Sequence, residues 1–360
     1  MSALHASPGE RTRTETSGPG QAVASLLESL LAVAVAFVIS GSILLAAGHD
    51  PLTAYAKLVE RTLLRASGLQ EVLVHATPLL LAGLAVLIAA KAGLWNIGID
   101  GQVLIGGLSA AVVGSRLDGS SRLVLWAGAI LAAILAGALW ASIPALLRSR
   151  WAINEIVTTI MFNYLAISLT AWLVKGPLRD QALVAAQTPL IPPALRYANF
   201  GDTRVHIGLA GALLMWVLAA WWLHRSVAGF ELRAVGENAR AARHAMIPVM
   251  AVVGAALVAS GALAGMAGGN DVLSTKGTFQ AEWYPGYGLS AFAVVFLARR
   301  HVLALLPAAL FLGTLAYGAD VLPRAAGIHS AFFALFEGVL LIVLAVFRWQ
   351  PWRRRSGGGP

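Results

Sequence analysis

Ten apolar runs succeed one another along this chain, and they leave it few ways to fold. They fall at about 25–47, 72–90, 97–114, 123–147, 155–174, 205–223, 248–268, 286–298, 302–318 and 328–347. A helix rises about 1.5 Å per residue and a bilayer's hydrocarbon core is about 30 Å thick, so roughly 20 residues span it. Ten such spans need about 200 residues, and a chain of 360 has room for them and for their connections. Only 12% of the residues are charged against 58% hydrophobic. A soluble domain carries about 25% charged residues, so a cytosolic enzyme is excluded. The sequence therefore predicts an all-α polytopic membrane protein of about ten transmembrane helices.

The absence of cysteine excludes disulfides, thiolate zinc sites, iron–sulfur clusters and a thiol nucleophile. The net charge of +9 reads as membrane orientation rather than nucleic-acid binding. With the N-terminus inside, ten crossings return the C-terminus inside, and 15 of the 26 basic residues fall on the cytoplasmic face. On this reading residues 1–24 are a disordered cytoplasmic tail, 25–347 one transmembrane domain and 348–360 a basic cytoplasmic tail. The run at 25–47 exceeds the core of a signal peptide and reads as a retained span. The short run at 286–298 and its neighbour at 302–318 read as a helical hairpin around Arg299-Arg300-His301, with one long bent segment as the alternative.

The longest connection is too short for an ATPase or kinase domain. All four lysines are followed by Leu, Ala or Gly, so no phosphate-binding P-loop is present, and H-E-x-x-H is absent too. No cofactor or metal is expected on this chain, and any ATP must be handled by a partner.

Polar groups enter the apolar runs at three places. Residues 91–102 (KAGLWNIGIDGQ) bring Asn96, Asp100 and Gln102 together among three glycines. Broken helices survive at membrane depth only where protein or water satisfies the freed backbone groups. The stretch is either a turn lining or supporting a translocation pathway, or a tight cytoplasmic loop before a packing helix. Glu155, Thr159 and Asn163 recur every four residues and form one polar stripe that should face the bundle interior. It is a pathway wall or, alternatively, an interhelical hydrogen-bond seam. Glu337, inside the last run, must be protonated, hydrogen-bonded to Ser or Thr, or facing water. Phe279, Trp283, Tyr284 and Tyr287 read as interfacial anchors, with stacking against a sugar or base as a secondary reading.

The connection at 224–247 has a different character. Gly236 permits a sharp turn, Asn238 can cap a helix start, and residues 239–247 form a short Ala-rich helix with an Arg rim. Pro248 suits the opening of the next span. Small side chains allow close approach, so a rigid docking element accounts for this segment better than a solvated basic loop.

Three ordered motifs carry a resemblance: 94–102 (LWNIGIDGQ), 154–164 (NEIVTTIMFNY), and 232–238 (LRAVGEN) followed by Ala241-Ala242. From about residue 70 to 345 the chain resembles permease subunits of bacterial ABC importers, in the branch for nucleosides and simple sugars related to the ribose and branched-chain amino acid permeases. The resemblance implies that Gly236, Glu237, Asn238 and Ala241 belong to a coupling helix docking into an ATP-binding subunit. It implies that Asn96, Asp100, Gln102, Glu155, Thr159 and Asn163 stand near the central pathway. It also implies the partners: a cytoplasmic ATPase carrying ATP and magnesium, a second, related but non-identical permease chain, and an extracytoplasmic binding protein or lipoprotein. The cargo would be a small neutral solute, with no nucleic acid bound, and the location the bacterial inner membrane. Asp100 stands where Glu is usual, Ala239 where Pro is common and Met246 where Gly is common. The rivals are an ion-coupled secondary transporter using Glu337 or Asp100, and a membrane-embedded lipid transferase, for which the eight scattered histidines are poorly suited.

Overall fold

The computed structural model describes residues 19–348. All ten apolar runs are helices, and three further α-helices occupy the connections. The first half comprises α1 (Pro19–Ala46), α2 (Pro51–Thr62), α3 (Ala66–Lys91), α4 (Ile99–Arg116), α5 (Arg122–Trp151) and α6 (Glu155–Lys175). The second comprises α7 (Gly208–Arg225), α8 (Val227–Glu237), α9 (Ala239–His244), α10 (Val249–Asp271), α11 (Tyr287–Leu297), α12 (Leu305–Ala326) and α13 (Ala331–Arg348). Residues 19–24, expected in the N-terminal tail, already belong to α1, whose first residue is a proline preset for a helix start. The rest of that tail, and the basic tail beyond Arg348, lie outside the described residues.

Among the described residues six helices are long and apolar enough to cross a membrane alone, and α7 and α8, separated by a bend of 74°, pass that test only when taken together. The 11 residues of α11 reach about 16 Å, half a hydrocarbon core. A turn at Arg299 and Arg300, both with positive φ, separates α11 from α12, and the two helices pack on each other as the hairpin reading requires.

At the centre, α10 lies against α4 and α5 with almost no side chain between them. A Cβ at Gly265 would sit 2.2 Å from the Ala133 carbonyl oxygen, and one at Gly268 2.0 Å from that of Val103. Without hydrophobic expulsion to drive association in lipid, such close backbone contact supplies the packing. Helix α3 is sheathed on all sides, with Leu81, Leu84 and Leu87 fully buried.

Two helices occupy stretches of the connections for which the sequence predicted none. Asp50 caps α2, accepting hydrogen bonds from the N–H groups of Leu52 and Thr53 at 3.1 Å, with Pro51 at the first helical position. Ser226 caps α8, which turns Leu232 and Val235 inward.

Candidate functional site

Between α3 and α4 the chain leaves helical geometry over seven residues, 92–98, and must find partners for its backbone groups. Helix α6 provides them. Asn163 accepts from the Gly101 N–H at 2.8 Å through Oδ1 and donates to the Ile97 carbonyl at 2.7 Å through Nδ2. Thr159 Oγ1 accepts from the Ile97 N–H at 3.2 Å. Both polar ends of the Asn163 amide are thus used on the turn, the geometry of an interhelical seam. Gly101 lets the helices close, since a Cβ there would lie 2.9 Å from Asn163 Oδ1.

Asn96 and Gln102 pair inside the turn. Asn96 Nδ2 donates to Gln102 Oε1 at 2.9 Å and to Ser260 Oγ on α10 at 2.8 Å. Gln102 Nε2 donates back to Asn96 Oδ1 at 3.2 Å, and the Ser260 hydroxyl donates to the Ala85 carbonyl at 2.7 Å. Both amides are almost fully buried. Glu155 separates from its stripe and pairs with Arg148 at 3.2 Å, beyond the end of α5's apolar stretch. The three residues share a helix face, yet only Thr159 and Asn163 reach the turn.

Asp100 lies where two helices begin. It stands in the first turn of α4, Oδ1 accepts from the Gly288 N–H of α11 at 2.7 Å, and Oδ2 accepts from the Tyr284 hydroxyl at 3.0 Å. A carboxylate is favoured there by the positive ends of both helices. Gly288 is required, because a Cβ would come within 2.4 Å of the carboxylate. Asp271 plays a matching part at the end of α10, accepting from Tyr287 at 3.0 Å and Thr275 at 2.8 Å. The aromatic segment before α11 is therefore tied into the protein rather than merely anchored at an interface. Trp283 packs on Gly107, and Phe279 meets it edge-on at 5.2 Å. Glu337 resolves among its three options by accepting a hydrogen bond from Ser290 of α11 at 2.8 Å. Sequence reasoning missed Ser260, Gly288 and Asp271; no motif marks them, because each acts through a contact distant in the chain.

In the connection between α7 and α10, Asn238 ends α8 and caps α9, accepting from the N–H groups of Arg240 at 3.0 Å and Ala241 at 3.1 Å. Helix α9 is six residues long, stopping at His244 rather than continuing to 247. Ala242 is buried against the protein, while Ala241, Arg240 and Arg243 face outward. Gly236 makes no sharp turn. It lies within α8, where a Cβ would stand 1.9 Å from the Lys91 carbonyl oxygen and 3.0 Å from the Gly93 nitrogen. Its missing side chain lets α8 rest on the end of α3, where the 92–98 break begins. Met246, at a position where glycine is common, takes φ 61° and remains exposed. His301, in the nearby α11–α12 turn, is held below the usual imidazole range by burial and by Lys91 and His224. Glu237 is exposed on the rim.

An open cavity of about 420 Å³ lies between α3, α5, α7 and α10, walled by Ile88, Met215, Trp222, Leu263 and Met266. It offers no polar group to orient a hydrophilic solute. Among the described residues no cluster of His, Asp and Glu could hold a metal ion.

The family profile described as "Branched-chain amino acid transport system / permease component" matches residues 68–345. The chain is 34% identical over 328 residues to a glucose ABC transporter permease of Haloferax volcanii, covering 88% of this chain and 86% of that one. It is 32% identical over 330 residues to a guanosine ABC transporter permease of Bacillus subtilis, covering 89% and 93%. A nucleoside ABC transporter permease of Lactococcus lactis is 29% identical over 252 residues, covering 68% and 69%.

Proposed function

We propose a cargo and a mechanism from the premise that this chain belongs to the branched-chain amino acid transport system permease family. It is a multi-pass inner-membrane permease subunit of an ABC transporter, and it works with an ATPase and a binding protein. The cargo is a nucleoside or a simple sugar. The observation carrying this is the near end-to-end similarity to permeases named for glucose and guanosine.

ATP and magnesium are bound and used by the cytoplasmic ATPase, not by this chain. A second, related but non-identical permease completes the membrane unit, and an extracytoplasmic binding protein or lipoprotein delivers the small neutral solute. Transport proceeds by alternating access. ATP binding closes the ATPase pair and moves α9, whose outward Ala241 allows close docking. Asn238 joins α9 rigidly to α8, and Gly236 sets α8 directly on Lys91 and Gly93. Movement therefore reaches the 94–102 turn and, through Asn163, α6. Near that route stand Asn96, Asp100, Gln102, Glu155, Thr159 and Asn163. The ion-coupled alternative has no support: Asp100 and Glu337 are each hydrogen-bonded inside the chain, and the relatives are ABC permeases.

The test is uptake of labelled guanosine and glucose by the assembled transporter. Uptake of at least one should require ATP and survive collapse of the proton gradient. Transport that persists without ATP and stops with the gradient overturns the proposal.

A further inference from the structure

The amides near the helix break point into the protein, so what this chain presents outward at that level is tyrosine and tryptophan among aliphatic side chains such as Met161 and Leu165. Tyr164 lies in the middle of α6, about 14 Å from Glu155 at one end and about 16 Å from Lys175 at the other. It is 65% exposed. Tyr284, just before α11, is 53% exposed, and its hydroxyl is fixed by Asp100 at 3.0 Å. Asp100 holds Tyr284, and the next residue, Gly101, is held by Asn163, the neighbour of Tyr164, so the two tyrosines flank the same helix start.

Tyrosine in membrane proteins concentrates at the headgroup level, and a hydroxyl facing hydrocarbon at mid-depth is costly. These two stand at mid-depth, beside two helix starts and a stretch of non-helical backbone. Irregular backbone at that depth borders either protein or a water-filled cavity. The turn itself is satisfied by protein, but the exposed hydroxyl of Tyr164 calls for a polar neighbour, which a water-filled route supplies. A third ring follows toward the cytoplasm. Trp95 is 38% exposed and lies against Phe292 at 6.1 Å and Phe296 at 5.7 Å, at interplanar angles of 29° and 26°. Phe296 is two helical turns beyond Gly288, so this ring lies about 12 Å below the level of Asp100.

We infer that Tyr164 with Tyr284, and then Trp95, form two aromatic stations that receive the planar base of a nucleoside on its route through the permease. The inference rests on the importer reading above and narrows its cargo. A free sugar can also lie on an aromatic ring, but it presents a smaller apolar face and more hydroxyls, which call for paired donors and acceptors, and the amides of Asn96, Gln102 and Asn163 are already engaged. A nucleobase offers two flat π faces, which tyrosine and tryptophan rings stack against without regard to its hydrogen-bonding edge. Asp100 is a positioning residue here, holding the Tyr284 ring through its hydroxyl.

The experiment uses the whole transporter with its binding protein in proteoliposomes, with ATP and magnesium at the ATPase. Initial uptake of labelled guanosine, uridine and glucose is measured for the unaltered protein and for Tyr164→Leu, Tyr164→Phe and Trp95→Leu. Tyr164 is an exposed side chain, so its removal should leave membrane abundance unchanged. Tyr164→Leu and Trp95→Leu should each cut nucleoside uptake about tenfold, whereas Tyr164→Phe keeps the ring and should restore it. Unchanged guanosine uptake in both leucine variants overturns the inference, as does equal damage from Tyr164→Phe and Tyr164→Leu. If the unaltered protein carries glucose and neither nucleoside, the importer reading stands and the aromatic inference falls. If it carries none of the three, the importer reading itself fails and takes the inference with it.

Discussion

The 91–102 turn and the 225–247 connection are both interruptions between helices, but they treat their polar groups in opposite ways. The turn is enclosed by neighbouring helices and closed on itself: every amide near it meets backbone or another amide, and α6 supplies Thr159 and Asn163 to it. The connection is open on one side and caps only its own start, leaving Arg240, Ala241 and Arg243 turned outward. Lipid offers no substitute for a missing hydrogen bond, whereas water and a partner protein do. An interruption in the first setting must be self-sufficient. One in the second is free to be a docking surface. Gly236 joins the two regions by bringing α8 onto Lys91 and Gly93.

The comparison breaks most sharply at Asn163. Asn163→Leu orphans the Gly101 N–H and the Ile97 carbonyl together, at a cost of about 2–6 kcal/mol if each buried group loses its partner. Membrane abundance and resistance to thermal aggregation should both fall. Normal abundance with lost uptake would show instead that the turn tolerates the loss and that Asn163 acts on the cargo route.

Next in size is a pair of substitutions one residue apart. Ala241→Trp adds bulk to the outward face of α9 and should abolish transport-stimulated ATP hydrolysis, or release the ATPase, while the permease still inserts. Ala242→Trp forces the same bulk into a site that is 3% exposed and should reduce the abundance of the permease itself. If both variants behave alike, the outward face is not a docking face. Gly236→Ala should act between the two regions. The added methyl group must push α8 off the α3 terminus, so ATP hydrolysis should continue while uptake per ATP drops severalfold. Unchanged coupling in that variant removes Gly236 from the mechanical link.

The smallest effect belongs to Met246. A side chain at φ 61° is strained by about 1 kcal/mol relative to glycine. Met246→Gly should raise the melting temperature slightly with transport unchanged, and no rise would mean that its flanking contacts already offset the strain.

Much of this was legible in the chain. The ten apolar runs became ten helices because their length and composition leave lipid-spanning helices as the available solution. Asn238 reads as a cap from its place before Ala239–Arg240–Ala241, and the structure puts its side chain on the Arg240 and Ala241 nitrogens. Helix α2 was legible too, through Asp50-Pro51, but its connection was read only for charge. Helix α8 was hidden for another reason: its sequence sits between two stronger signals, the end of a span and the capped α9.

What the sequence determined by itself is therefore the local and the collective: helix existence, the positions of caps, the membrane as solvent, and membership of a family through three short motifs. What the tertiary structure decided is the pairing of distant polar groups. The four-residue spacing places Glu155, Thr159 and Asn163 on one face, but it cannot say that Glu155 takes Arg148 while the other two take the turn. Nor does any spacing join Asp100 to Gly288 across 188 positions, or Glu337 to Ser290. Periodicity fixes direction around one helix axis. A hydrogen bond between helices also depends on how far each is shifted and rotated against its neighbour, and here that is set by glycine contacts such as Gly265 on Ala133 and Gly236 on Lys91.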